Sequence, residues 1–476
     1  MAIFFVFVFY KYRRDFIKGN YMNFIYTKSL NAQNPPKNNL LKNNQISTNK
    51  AYFRSLKTEL NGDKVSFQSI NLEDNNYNIY GDKSEEIRQL IPPELKPLLK
   101  SLPKAELHVH AKGAVTLSVI RQKLRQRGYT EEQIAAATTF PDYFVDLDHF
   151  RNVYTKFSSL LVTPEEMKDS AYFTCTRAAE DNVKYLELRF NPFSKGQNPY
   201  KMMEMFIKGI VDAQNDLLKK INFKQTVKII ILAKRDNAPQ EVMEFAKTAV
   251  ELAKNPDNMV VGFDLAGAEA HHTVLKHENA LKYVKDKGLY LTVHAGETPL
   301  SVDDKYSLTG SQSIRKAVET GTNRLGHALH LMDDPELVEL VKKLRITVES
   351  PPTANVSIKN VESWKKHPFK QMVDAGVNVA VCTDNPTLFK TTISREFERL
   401  YKHSYISSWD TMKTLIMNGI YGGFLSTREK AGLVKEFKDE LSKIEKDPYF
   451  KSTIKKYLTP QKTSGFPEVL LKFLRR

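Results

Sequence analysis

Short runs of apolar residues rich in Val and Ile recur along the chain from about residue 106, and sequence with helical apolar spacing separates them. Eight such runs are present, at 106–111, 183–191, 227–234, 259–267, 290–297, 324–331, 346–351 and 377–384. The intervening amphipathic stretches include 240–253, 278–287, 311–320 and 335–344. Eight strands that alternate with helices predict an α/β fold, a TIM (β/α)8 barrel with its helices outside.

The stretch between the first and second runs, residues 112–182, is too long for an ordinary barrel loop. It contains candidate helices at 117–126 and 164–181. Functional groups of such barrels gather at the carboxyl ends of the strands, and this stretch follows the carboxyl end of the first one. We therefore expect it to cover the barrel mouth as a helical lid.

Residues 31–83 are rich in Asn, Ser, Lys and Gln and contain only isolated apolar residues, a composition that buries too little surface to stay ordered. We expect 1–83 to be a largely disordered N-terminal extension and 84–476 to form one barrel domain with a C-terminal helical tail. Prolines separate two short predicted helices, at 85–91 and 92–100.

The first ten residues form an apolar run that is too short to span a bilayer and lacks the flanking features of a signal peptide. It is either a weak signal anchor or precedes a true translation start at Met22, and we favour the second interpretation. The expected location is cytoplasmic.

Composition narrows the classes of protein further. The chain of 476 residues is 41% hydrophobic, which is ample for a packed core. Its net charge of +16 could indicate nucleic-acid or membrane binding, but the lysines are scattered and often lie beside acidic residues, as on a solvated surface. We expect neither partner, although a basic rim could attract anionic substrates. Cys175 and Cys382 lack any Cys-x-x-Cys spacing, which excludes a disulfide framework and a cysteine-rich zinc site.

Metal-ligating residue types fall at the ends of the predicted strands. His108 and His110 are two residues apart on the first strand, so both side chains project from one face. His294 ends the fifth strand and Asp384 ends the eighth. Three imidazoles and one carboxylate that meet at a barrel mouth are ligands that zinc accepts. The sequence predicts one Zn²⁺ per subunit, bound by His108, His110, His294 and Asp384.

Glu297 and His327 are the candidate catalytic residues beside this metal. A metal that activates water and a carboxylic acid that delivers a proton are the parts of a hydrolytic reaction. Taken singly, His327 could be a packed strand histidine and Glu297 a carboxylate at a helix start. The agreement of four strand ends favours the catalytic interpretation. The expected structural or surface histidines are His149, His271, His272 and His330, and Cys382 is expected in the barrel interior.

Seven motifs occur in order between about residues 102 and 423, at 104–110, 185–192, 262–267, 294–297, 324–327, 352–355 and 383–386. With them the chain resembles the adenosine deaminase family of metal-dependent hydrolase barrels. The resemblance implies that the four predicted ligands bind zinc and that Glu297 protonates a purine ring nitrogen. It also implies that His327 with Asp384 orients the attacking hydroxide, and that the Gly267 backbone N–H binds another ring nitrogen.

Two positions depart from the family pattern, and both concern the substrate. Lys112 stands where the family usually has an aspartate that holds the ribose, and Asn385 stands where many members have an aspartate. An ammonium donates hydrogen bonds but cannot accept them, so one hypothesis is a substrate with a negative group near the sugar 5′ position. The alternative is that Lys112 turns to solvent and another lid group holds the ribose. The predicted substrate-binding residues are Lys112, Gly267 and Asn385.

The leading hypothesis is a zinc-dependent aminohydrolase that converts adenosine, a small-molecule purine nucleoside, to inosine and ammonia. Deamination of adenine, of an N6-modified AMP or of a futalosine-like nucleoside stays open, as does a catalytically silent purine-binding or signalling protein. The His-x-Glu and Pro-Cys-x-x-Cys pattern of cytidine-type zinc deaminases is absent from the sequence. The fourth strand offers no lysine to bridge a second metal ion. The sequence does not predict an oligomeric state.

Overall fold

The computed structural model describes residues 91–193 and 196–459. Its strands are β1 (Lys104–His110), β2 (Val183–Phe190), β3 (Thr226–Lys234), β4 (Val260–Ala266), β5 (Tyr290–Ala295), β6 (Leu300–Val302), β7 (Ser307–Thr309), β8 (Arg324–His327), β9 (Thr347–Ser350) and β10 (Val379–Val381). Eight of them pair in parallel, in the order β1-β2-β3-β4-β5-β8-β9-β10, and β6 and β7 form a separate antiparallel hairpin. This arrangement confirms the predicted TIM barrel.

The sheet closes through contacts between β1 and the segment that follows β10. Val109 and Asp384 form an isolated parallel bridge. The His110 N–H donates to the Asp384 carbonyl at 2.9 Å, and the Asp384 N–H donates to the His108 carbonyl at 2.8 Å. Closure therefore brings Asp384 beside the two histidines of β1.

Helices surround the strands. They are α1 (Leu95–Ser101), α2 (Leu117–Gln126), α3 (Glu131–Thr138), α4 (Leu147–Ser158), α5 (Pro164–Glu180), α6 (Pro199–Ile221), α7 (Pro239–Ala253), α8 (Glu278–Asp286), α9 (Gly310–Glu319), α10 (Pro335–Lys343), α11 (Pro352–Ser357), α12 (Phe369–Asp374), α13 (Ile393–Lys402), α14 (Trp409–Gly422), α15 (Thr427–Lys446) and α16 (Pro448–Tyr457). Parallel strands covered by helices are buried on both faces, and Ile229, Ile230 and Ile231 of β3 accordingly have no exposed surface.

Several strands end earlier than the apolar runs predicted. The fifth, sixth and eighth runs extend to residues 297, 331 and 384, whereas β5, β8 and β10 end at Ala295, His327 and Val381. The backbone turns there into the left-handed region, with φ of +66° at Gly296, +47° at Ala328 and +62° at Asp384. The residues at and beyond these turns therefore no longer continue the strands.

The segment over the mouth comprises the 3-10 turn Ala111–Ala114 and helices α2, α3 and α4. Helix α4 packs against the segment that follows β10, where the Phe150 ring stacks on Phe389 at 4.9 Å between centroids. Just before α4, the Phe144 N–H donates to the Ser357 carbonyl at 2.7 Å. The second predicted lid helix, α5, packs on α6 instead, since its Tyr172 hydroxyl donates to Asp216 at 2.7 Å. The lid is thus the shorter segment between the end of β1 and α5.

The predicted extension at 1–83 lies outside the described residues, as do residues 85–90 of the first predicted short helix and residues 460–476 of the tail. The second short helix is present as α1, and the described part of the tail contains α15 and α16. Among the described helices, none combines the length and apolar composition that crossing a membrane requires.

Candidate active site

Three histidines meet at the mouth of the barrel. His108 and His110 come from the end of β1 and His294 from the end of β5. One ring nitrogen from each lies within 4.8 Å of the others, and all three side chains are buried. Asp384 joins them, with its Oδ1 3.1 Å from His110 Nε2 and 3.6 Å from His108 Nε2. The structure therefore brings the four predicted metal ligands together.

The free ring atoms of this cluster fit a metal ion. His108 Nε2 is buried and has no hydrogen-bond partner among the described residues, while His108 Nδ1 lies 2.9 Å from Glu349 Oε2. His294 Nδ1 likewise lies 3.2 Å from Asp264 Oδ1. When a carboxylate accepts a hydrogen bond from the N–H of one ring nitrogen, the lone pair of the other ring nitrogen is available to a metal. The buried triad can hold a metal ion with the ligand geometry already oriented.

Electrostatics favours the neutral imidazoles that metal binding requires. Burial lowers the pKa of His294 to about 4, against the opposing effect of Asp264. Burial also holds the pKa of His108 well below its usual value, and the nearby Arg189 guanidinium adds to this effect. Both rings are therefore neutral at neutral pH, each with one nitrogen lone pair that a metal ion could use.

A buried arginine joins the two carboxylates beneath the histidines. Arg189 of β2 donates to Asp264 Oδ2 at 2.6 Å and also to Glu349 Oε2. All three side chains have essentially no exposed surface. Two of the sequence motifs contain Arg189 and Asp264 but indicate no role for them, and Glu349 lies in none of the motifs. The sequence does contain one signal for Glu349, which is an acidic residue inside the seventh apolar run at 346–351, where uncharged residues are usual.

Glu297 lies in the turn after β5 and is 4% exposed, so it is not the surface carboxylate of a helix start. Glu269 fixes this turn by accepting the N–H groups of Gly296 and Glu297, each at 2.8 Å. Burial raises the pKa of Glu297 to about 7, a rise to which Glu269 and Asp384 add and which His327 opposes. Glu297 therefore carries its proton at the lower end of the neutral range.

His327 ends β8 on a strained backbone. Its φ is +64°, a conformation that residues other than glycine rarely adopt, and such strain concentrates at functional sites. Its Nε2 lies 3.8 Å from Glu297 Oε1. A side chain at the preceding Gly326 would crowd the site, because a Cβ there would lie 3.2 Å from both His108 Cε1 and the His294 Cα. Burial lowers the pKa of His327, but the carboxyl groups of Glu297 and Asp384 outweigh that effect and raise it.

The predicted substrate residues lie around this centre. Asn385 donates to Asp384 Oδ1 at 2.7 Å, and its own Oδ1 is buried with no hydrogen-bond partner among the described residues. Gly267 follows β4 with a φ of +103°, and a Cβ there would lie 3.8 Å from the Lys234 Cβ. Lys112 lies in the 3-10 turn after β1. Its partial burial lowers its pKa to about 8, and the charge of Lys234 adds to this effect.

The lid adds an aromatic side chain that sequence reasoning missed. Tyr154 of α4 lies over the mouth, with its ring centroid 6.3 Å from that of His110. Burial raises the pKa of the Tyr154 phenol, and the charge of Asp384 contributes to the rise. The hydroxyl therefore stays protonated, so it can donate a hydrogen bond near the histidine cluster.

Comparison with known proteins agrees with this geometry. The family model described as Adenosine deaminase matches residues 103–440. Adenosine deaminase of Enterococcus faecalis is 29% identical over 339 residues, which cover 70% of this chain and 95% of that protein. Adenosine deaminase of Clostridium botulinum is 29% identical over 349 residues, covering 71% and 98%.

Two solved structures extend this comparison. The crystal structure of arabidopsis N6-mAMP deaminase MAPDA shares 26% sequence identity, covers 72% of this chain and 99% of its own, and has a TM-score of 0.63. Arabidopsis ADAL complexed with IMP shares 25% identity, covers 72% and 98%, and has a TM-score of 0.62.

Proposed function

The chain belongs to the adenosine deaminase family and is a hydrolytic deaminase, and from this premise we propose that it uses Zn²⁺ to convert adenosine, or a related 6-aminopurine nucleoside, to the 6-oxo product and ammonia. The observation that carries the proposal is the placement of Glu297, a buried carboxylic acid with a pKa raised to about 7, beside a buried cluster of three histidines. A silent purine-binding protein would have no need of an acid poised in this range.

His108, His110, His294 and Asp384 would hold the Zn²⁺, which, when bound, lowers the pKa of its water towards about 7. Glu297 gives its proton to a purine ring nitrogen, which makes the ring carbon that bears the amino group electrophilic. Asp384 and His327 orient the attacking water, and the Gly267 N–H binds a second ring nitrogen. Closure of the lid, with Tyr154 above His110, keeps bulk water away from these groups.

A panel of purines tests this proposal. Ammonia release is measured from adenosine, adenine and adenosine analogues, and the zinc content of the same preparation is measured in parallel. We expect release of ammonia from adenosine and close to one zinc per chain. Zinc-loaded protein that releases ammonia from no 6-aminopurine would overturn the deaminase proposal and support a silent binding protein.

A second candidate substrate class is a purine with an anionic group near the sugar 5′ position. Lys112 and Lys234 support it, because the ammonium groups of the turn after β1 and of the end of β3 are near enough for the charge of Lys234 to lower the pKa of Lys112. A lysine binds phosphate as a point charge. The similarity to an N6-mAMP deaminase points to the same class. Including AMP and N6-methyl-AMP in the panel decides between the two classes, since this candidate predicts a higher kcat/KM for the nucleotides than for adenosine.

A further inference from the structure

A line of buried hydrogen bonds leads from His327 away from the reaction centre. His327 Nδ1 lies 2.7 Å from one terminal atom of the Asn355 amide, and the other terminal atom lies 3.0 Å from His367 Nε2. The line ends at the backbone N–H of Phe369, which donates to His367 Nδ1 at 3.0 Å. Asn355 and His367 come from α11 and from the loop before α12, and neither belongs to the metal cluster.

The backbone N–H of Phe369 fixes which atoms donate and which accept in the other hydrogen bonds of this line. His367 Nδ1 accepts the Phe369 N–H, so it carries no proton. Burial lowers the pKa of His367 to about 3, and the nearby His327 adds to this effect, so the ring is neutral. A neutral imidazole carries one N–H. The proton of His367 is therefore on Nε2, and His367 donates to Asn355.

The amide of Asn355 must then present its oxygen to His367. As placed, Asn355 Oδ1 faces His327 and Nδ2 faces His367, which would give His367 two donors and no acceptor for its own N–H. The oxygen and nitrogen of an amide are distinguished by their hydrogen-bond partners, and the partners here require the opposite orientation. With the amide turned, Asn355 Nδ2 donates to His327 Nδ1.

We propose that His367 acts through Asn355 as a positioning residue, which keeps the Asn355 N–H directed at His327 Nδ1 and thereby the His327 proton on Nε2. His327 then faces the side where Glu297 lies, 3.8 Å away, as a hydrogen-bond donor. This donor is suited to the oxygen that attacks the purine. The inference rests on the proposed function only for the identity of that oxygen, since the site of the His327 proton is a property of the protein without substrate.

The opposite orientation of the Asn355 amide would leave a buried conflict. Its oxygen would face His327 and its N–H would face His367 Nε2, while the backbone N–H of Phe369 already donates to His367 Nδ1. His367 would then meet two donors, and its own N–H would lack an acceptor, which is costly for buried groups. The backbone N–H of Phe369 therefore decides which nitrogen of His327 accepts a hydrogen bond.

Nitrogen NMR of the metal-loaded protein with ¹⁵N-labelled histidine tests the proposal, because the two ring nitrogens of each tautomer differ in chemical shift. The His327 signals are assigned from their loss in His327→Gln. We expect His327 and His367 both to be protonated at Nε2 in the unmodified protein near neutral pH. Protonation of His327 at Nδ1 would overturn the proposal, whether or not the protein is active.

Two substitutions then test the direction of the effect. Asn355→Asp supplies a carboxylate that accepts from both rings, so we expect the His327 proton to move to Nδ1 and kcat to fall by about 10²-fold, with KM much less affected. His367→Gln retains one donor for Asn355 and one acceptor for the Phe369 N–H, and it should preserve the Nε2–H form of His327. An unchanged His327 tautomer in folded Asn355→Asp protein would contradict the inference. If that variant fails to fold, the tautomers of the unmodified protein and of His367→Gln decide the question.

Discussion

The floor of the active site comprises His108, His294 and the buried groups that support them, and its rim comprises Lys112 and Tyr154. The side chains of the floor are held by many more contacts than those of the rim. On the floor, His108 and His294 each rest on a buried carboxylate, and Arg189 joins the two carboxylates. At the rim, Lys112 lies in a short turn and Tyr154 belongs to the lid. The floor has the features of a metal centre that tolerates little change, whereas the rim holds the residue that departs most from the family pattern. Chemistry and substrate choice should therefore respond to different substitutions.

The largest expected effect is at the floor. His294→Ala removes one of the four proposed ligands, and we expect loss of most of the zinc and of all measurable turnover, since three remaining ligands hold the ion poorly. The check is metal content by atomic spectroscopy together with ammonia release. His271→Ala is the matched control, because His271 is an exposed histidine paired with Asp148. Full zinc retention in His294→Ala would mean that His294 is not a ligand.

Glu297→Gln keeps the shape of the side chain but removes the acid. We expect zinc to stay bound and the rate to fall by about 10²-fold or more, the usual contribution of a positioned acid. Glu319→Gln on the surface of α9, where Glu319 pairs with Lys316, serves as the control and should leave the rate unchanged. An unaltered rate in Glu297→Gln would assign Glu297 a purely structural role.

The raised pKa of Glu297 predicts how kcat falls on the alkaline side of the pH profile. That pKa is raised to about 7, so the protonated form that the reaction needs is present below that pH and is lost above it. We expect kcat to decline by about tenfold per pH unit above the apparent pKa. Steady-state rates between pH 5 and 9 test this expectation. A kcat that stays constant across the range would separate Glu297 from the proton transfer.

Arg189→Met tests the support beneath the histidines. Removal of the guanidinium leaves Asp264 and Glu349 as buried charges without this partner, which should lower the free energy of unfolding by about 3–5 kcal/mol. Metal affinity should fall by about 10–100-fold, as is usual when groups that orient metal ligands are lost. Competition with a chelator and thermal unfolding measure both effects.

Arg315→Met is the control for this substitution, because Arg315 forms a partly exposed ion pair with Asp334 and contacts neither Asp264 nor Glu349 by any ion pair described. It should alter neither metal affinity nor activity. Equal metal affinity in Arg189→Met and in the unmodified protein would show that the floor does not depend on Arg189.

The smallest expected effect is at the rim. Lys112→Asp replaces a donor by an acceptor and should improve adenosine turnover while impairing any anionic purine, by an amount equivalent to about 1–3 kcal/mol for a charge-assisted contact. The measurement is kcat/KM for adenosine and AMP, and Lys112→Met separates loss of the charge from gain of the acceptor. If neither variant changes the ratio of the two values, Lys112 does not contact the substrate.

Much of the floor could be predicted from local patterns, but the residues that support it could not. His108 and His110 share a face because side chains alternate along a strand. The role of Glu349 could not be predicted, because its partner His108 is 241 residues away in the chain and nothing near Glu349 in the sequence indicates that contact. The same holds for Asn355 and His367, whose importance depends on one amide orientation and one backbone N–H.

The sequence by itself determined the alternation of strands and helices, the eight-stranded barrel and the strand ends at which the functional side chains gather. These features follow from the spacing of apolar residues, which is a property of neighbouring positions. The tertiary structure alone decided the extent of the lid, the closure that brings Asp384 to His110, and the pKa of Glu297. These features depend on burial and on contacts between distant segments, which exist only when the barrel has closed.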